Sequence, residues 1–137
     1  MYPFEFTEKI RVEIIDSGVD DRYKVGAYGF VLRGLDFYLT KISEKRHVSG
    51  QELSWALLTF AHKQFGPMAK SVFDRWGIKA TSDLGCIVYN MIRIGMLGKQ
   101  PNDSLDDFYD VTDVMAFFDK EDKTCFTVDR TFIRGKK

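Results

Sequence analysis

A chain of 137 residues, 45% of them apolar, is long enough to bury a sizeable core and short enough to be read as one domain, 1–137. Its twenty basic and twenty acidic side chains cancel, so no whole-molecule field draws it to nucleic acid or to an anionic membrane. Two cysteines are too few for a disulfide scaffold or a four-cysteine zinc site. No apolar run nears the ~20 residues of a bilayer span, and MYPFEFTEKI lacks the basic-then-apolar pattern of a signal peptide, so a cytoplasmic protein is expected.

The first third, 1–46, reads as a helical pair. In FTEKIRVEII, Phe6, Ile10 and Ile14 share a helical face, while Ile10, Val12 and Ile14 also alternate as a strand would; helix is the favoured reading. Asp20 or Asp21 is placed to cap a second helix, along which Tyr23, Ala27, Val31, Leu35, Tyr38 and Ile42 recur at helical spacing. Gly26, Gly29 and Gly34 each lower its intrinsic propensity by about 1 kcal/mol against alanine, and close helix packing is expected to compensate. Their spacing is not that of a phosphate loop.

The stretch 47–110 carries the clearest punctuation. Ser49-Gly50-Gln51-Glu52 is an S-x-x-E capping box with Val48 and Leu53 at the staple positions. The helix that follows has two apolar stripes: Leu53, Leu57, Phe60 and Ala61 in one, Trp55, Leu58, His62 and Phe65 in the other, which predicts two packing partners. His62 therefore reads as a hydrogen-bonded core histidine. Gly66-Pro67 opens the next helix, whose inward face is Met68, Val72 and Trp76, and Gly77 closes it in the left-handed region with Ile78 against Phe73. Thr81 caps a third helix with Asp83 in its first turn; Leu84, Val88, Met91 and Gly95 form its core stripe, and Gly95 ends it. Cys86 within it reads as a small buried hydrophobe.

Met96 to Gln100 then reads as a short extended segment, Pro101-Asn102-Asp103 as a turn and Leu105 to Tyr109 as the return of a hairpin. Helix, short helix, turn, longer helix and hairpin make a layout that resembles a winged helix-turn-helix, with 81–94 as the candidate recognition helix. The expected class is mainly α (α+β): an N-terminal helix pair, a winged-helix-like core with a small β hairpin over 47–110, then a C-terminal helix and extended tail over 111–137. The strings HVSGQEL, FGPMAKSVFDRWGI, TSDLGCIVYNMI, GML and DDF, with DDRYKVGAYGFVLRGLDF upstream, resemble a family of uncharacterised bacterial proteins of planctomycete and verrucomicrobial type. The resemblance covers the chain up to about Phe118 and implies a fold, because its signature positions, Ser49, Gly66, Pro67, Trp76, Gly77 and Gly95, are caps and core.

Four functional readings follow. For nucleic acid, Asn90 and Arg93 face outward on the third helix as potential base readers, and Lys70, Arg75 and Lys79 are basic neighbours. Against it, Asp103, Asp106, Asp107, Asp110 and Asp113 make the presumed wing acidic, which repels phosphate. As a metal site that cluster lacks the calcium-loop pattern, and helix capping explains it with Asp110 preceding VTDVMAFF; no metal and no cofactor is expected. An enzyme does not emerge, since His47 and His62 are the only histidines and neither sits in a nucleophile or metalloprotease motif. The chain is accordingly read as a non-enzymatic interaction module, a protein–protein scaffold with no membrane role. CFTVDRTFI near the end alternates as a strand, so Phe126, Val128, Arg130 and Phe132 are the expected partner contacts. The alternative is DNA binding through 81–94.

Overall fold

Apolar residues at helical spacing give helices throughout the computed structural model, which describes residues 4–18, 20–41, 48–98 and 104–120. The first helix, α1 (Phe4–Ile10), widens into a π-helical turn over Arg11–Asp16, and it buries Ile10 and Ile14 as the helical reading requires. Next come α2 (Val25–Lys41) and α3 (Gly50–Phe65), then α4 (Ala69–Trp76) entered through the 3-10 turn Gly66–Met68. The long α5 (Thr81–Arg93), a 3-10 turn at Leu105–Phe108 and a last helix, α6 (114–120), complete the order.

No strand forms among the described residues, so the α+β class and the β hairpin are corrected to an all-helical fold. The turn expected at 101–103 lies outside the described residues, but its return arm does not. Leu105–Phe108 is a 3-10 turn because Ser104 and Asp107 cap each other's backbone: Ser104 Oγ accepts from the Asp106 amide at 3.1 Å, and Asp107 Oδ2 accepts from the Ser104 amide at 3.3 Å. A reciprocal cap of this kind bends the chain where the hairpin reading expects extension. The turn then buries Phe108 against Gly50 of α3 and Gly85 of α5, where an added Cβ would stand 2.7 Å from an atom of the turn in each case. Without the hairpin the likeness to a winged helix has no support.

The core lies between α2, α3, α4 and α5. At its centre is Phe30, whose ring packs on Phe60, Phe65, Phe73 and Trp76 at centroid separations of 5.4–5.9 Å. Phe73 passes the contact on to Phe118 of α6, edge-on at 5.2 Å. Such pairs add about 0.5–1.5 kcal/mol each beyond the area they bury.

Helix ends hold where the sequence marks them. Ser49 Oγ accepts from the Glu52 amide at 3.1 Å, and Gly77 is left-handed at φ 91°, with the Ile78 amide donating to the Phe73 carbonyl at 2.9 Å. The Met96 amide repeats that bond to the Met91 carbonyl at 2.9 Å. Three expected caps move. Asp20 does not cap α2, which starts five residues later. Thr81 lies inside α5 and is fully buried: its hydroxyl donates to the Phe108 carbonyl at 2.7 Å and accepts from the Val111 amide at 3.1 Å, so it fastens the C-terminal segment to α5. The start of α5 is capped instead by Asp83, whose Oδ2 accepts from the Lys79 and Ala80 amides at 2.8 and 3.0 Å. Asp113, in place of Asp110, starts α6 by accepting from the Ala116 amide at 3.0 Å. Met68 is 60% exposed, and α4 turns Ala69 and Phe73 inward in its stead.

Candidate interaction site

Two places in the fold gather side chains that chemistry or recognition would use. The first is a polar cluster between the start of α2 and α5. Asp20, 8% exposed, accepts from the Arg22 amide, Nε and Nη2 at 3.1, 2.9 and 2.8 Å and from Asn90 Nδ2 at 2.9 Å. Asn90 Nδ2 also donates to the Tyr28 hydroxyl at 3.1 Å, and the Tyr23 hydroxyl donates to Asp83 Oδ1 at 2.5 Å. The hydrogen bonds from Arg22 hold the Asp20 carboxyl down at about 2 against the opposing effect of burial. Burial pushes the Tyr28 hydroxyl up to about 12 and the Tyr23 hydroxyl further up, the latter helped by Asp83. Arg22, hydrogen-bonded chiefly by Asp20 and also by Cys86, is held even more firmly in its charged form. Cys86 is half-buried and packs against the core, a more exposed place than the sequence reading gave it. The hydrogen bonds of the cluster join the loop before α2 to α5.

The second is a groove of about 440 Å³ between the C-terminal half of α2 and the outer face of α3. Phe37 and Phe60, ring centroids 5.1 Å apart, form its apolar floor. Trp55 stands in its wall, 46% exposed and backed by Phe117 of α6 at 6.0 Å. Lys41 and Lys63 reach it from different helices, and their Nζ atoms lie 5.0 and 5.9 Å from the centroid of the same Phe37 ring. The acid in the lining, Glu52, accepts from the Tyr38 hydroxyl at 2.5 Å. A partly exposed tryptophan over an apolar floor with two cations at its rim has the makeup of an interface centre.

The residues singled out for nucleic acid fall in different settings. Asn90 is 5% exposed and committed to Asp20 and Tyr28, so the outward-facing base reader becomes an interior one. Lys70 is paired with Asp119 at 2.5 Å and Lys79 with Asp74. Arg75 and Arg93 are exposed. The partner contacts expected at Phe126, Val128, Arg130 and Phe132 lie outside the described residues, as does His47. His62 is half-buried on α3. Among the described residues no three His, Cys, Asp or Glu side chains converge as a metal site requires, and no helix is long and apolar enough to cross a membrane.

Trp55 escapes a reading by stripes because Leu58, His62 and Phe65 beside it look like its companions. The signal was in the other row: Gln51, Thr59 and Lys63, four residues apart on either side of Trp55, are all exposed. No family model, curated protein or solved structure matches this chain. None of these comparisons supports the resemblance to planctomycete and verrucomicrobial proteins.

Proposed function

We propose that this chain is a non-enzymatic protein-interaction module and that the groove between α2 and α3 is its docking surface. The observation that carries this reading is Trp55. A large aromatic side chain 46% exposed beside the Phe37–Phe60 floor is costly to leave in water and is the residue type most often found at the energetic centre of interfaces. The groove joins an apolar floor to charged groups at its rim, the combination that recognition uses. The hairpin that would have supplied a wing is absent from the described residues, so the docking surface moves from the wing to the helices.

The test uses a library of random twelve-residue peptides displayed on phage, panned against the full-length chain with its Trp55→Ala form as the counter-target. Clones that hold the wild-type chain and lose at least about tenfold in affinity on Trp55→Ala, with circular dichroism unchanged, are the expected outcome. If every enriched clone binds both forms equally, the groove is not a docking surface.

A further inference from the structure

We infer that the occupant of the α2–α3 groove is a short segment of another protein that presents an apolar anchor flanked by acidic side chains; this rests on the reading of the groove as a docking surface. The argument is one of charge. Among the described residues five cations have a carboxylate: Lys9 lies on Glu13, Arg11 on Glu8 and Asp16, Arg22 on Asp20, Lys70 on Asp119 and Lys79 on Asp74. Lys41 and Lys63 are among the others, and what marks them is their place at the rim of an apolar floor. They approach one ring from helices α2 and α3, and no described carboxylate lies within 4 Å of either ammonium. Among the described lining residues the one acid, Glu52, has its carboxylate engaged by Tyr38. The groove thus pairs an apolar floor with a net positive rim on a chain whose overall formal charge is zero.

Both of the chain's own candidates for the groove carry the wrong sign. A two-fold dimer through this face would set the lysine rim of one copy against that of the other. The segment 121–137 holds five basic residues, Lys123, Arg130, Arg134, Lys136 and Lys137, against three acids, Glu121, Asp122 and Asp129. A phosphate backbone would match in sign, but such binding draws its affinity from many phosphate contacts and two lysines supply few. An acidic, amphipathic segment meets both the floor and the rim. Its apolar anchor covers Phe37 and stacks on Trp55, and its carboxylates bond Lys41 and Lys63 Nζ.

The experiment takes the Trp55-dependent clones from the peptide panning, made as fluorescent synthetic peptides, and measures their affinity by anisotropy. The expected clones are rich in Asp and Glu around one or two aromatic or aliphatic residues. Their affinity falls about tenfold in a Lys41→Glu, Lys63→Glu chain whose melting temperature is unchanged, and peptides with those acids changed to lysine bind the reversed chain better than the original. Trp55-dependent clones that are neutral or basic, or that ignore the double reversal, overturn the inference while leaving the docking surface standing. An absence of Trp55-dependent clones removes the docking surface itself, and the inference with it. Three other results also overturn the inference: displacement of the probe by a synthetic peptide of residues 121–137, a dimer in sedimentation that Trp55→Ala dissolves, and Trp55-dependent binding of a labelled oligothymidylate.

Discussion

At its N-terminal end α2 brings Tyr28 into contact with Asn90, which in turn holds Asp20, while Gly77 at the end of α4 presses against the Arg22 carbonyl. At its C-terminal end the same helix carries Phe37, Tyr38 and Lys41 to a groove where a ring, a tryptophan and two ammonium groups are left toward solvent. One end satisfies its polar groups internally and is expected to be sensitive to any change. The other leaves chemistry unused and is expected to tolerate change in stability while losing recognition. The difference separates residues that specify the fold from residues that the fold presents.

The sharpest test of the first end is Gly77→Ala. The residue sits at φ 91°, and an added Cβ would stand 2.3 Å from the Arg22 carbonyl oxygen, which belongs to backbone and cannot turn aside. Strain at positive φ and overpacking together are expected to cost about 2–4 kcal/mol, read as a lowered urea midpoint. If the midpoint barely moves, the loop before α2 is not held tightly and the contrast between the two ends weakens. Asn90→Leu comes next. It keeps the volume but strips Asp20 and the Tyr28 hydroxyl of a donor in a buried place, for an expected loss of about 2–3 kcal/mol by the same measurement.

Acid tests the same end without a mutation. The Asp20 carboxyl titrates at about 2 in the folded chain, below its ordinary 3.8. A depressed carboxyl stabilises the fold at pH above its unfolded value, and that stabilisation is lost as pH falls from about 4 toward 2. The linked change is about 2 kcal/mol. Other carboxylates titrate in this window too, so the informative quantity is the difference between wild type and Asp20→Asn, which should shrink as pH is lowered from 5.5 to 2.5. A difference independent of pH would mean that Arg22 and Asn90 do not hold Asp20 ionised.

How much of this was legible in the sequence depends on the range of the interaction. Ser49, Pro67, Gly77 and Gly95 were readable because a cap is decided within four or five residues. Core stripes were readable for the same reason, since Leu84, Val88 and Met91 bury one face of α5 whatever lies opposite. Asn90 was not: its partners are 70 and 62 residues away, and a polar residue beside a stripe looks solvent-facing until the other chain segment is placed. Thr81 illustrates a third case, a residue of the right type for a local cap that is used for a distant bond to Phe108 and Val111. The segment after the 101–103 turn signal carries a local cause for bending, the Ser104–Asp107 reciprocal cap, and that cap outweighs the extended return which a turn signal implies. The groove was half legible. Trp55 and Phe60 are visible as stripe members, but the convergence of Lys41 and Lys63 on one ring depends on how α2 and α3 cross.

The smallest expected effect belongs to the groove and decides the comparison from its other side. Trp55 touches Phe117 edge-on and is otherwise nearly half in water, so Trp55→Ala removes one aromatic contact and only part of a side chain's burial. A fully buried tryptophan cut to alanine would cost about 3–5 kcal/mol. Here the expected loss is about 1 kcal/mol or less, because the alanine form also relieves the solvent of an exposed indole and leaves no closed cavity. Urea melts of the two forms give this number directly. A loss of 3 kcal/mol or more would show that α6 depends on Trp55 as a core residue, and the tryptophan would then be exposed as a by-product of packing. A loss near the expected value leaves its exposure without a role in stability, which is the condition under which an interface residue is retained for what it binds.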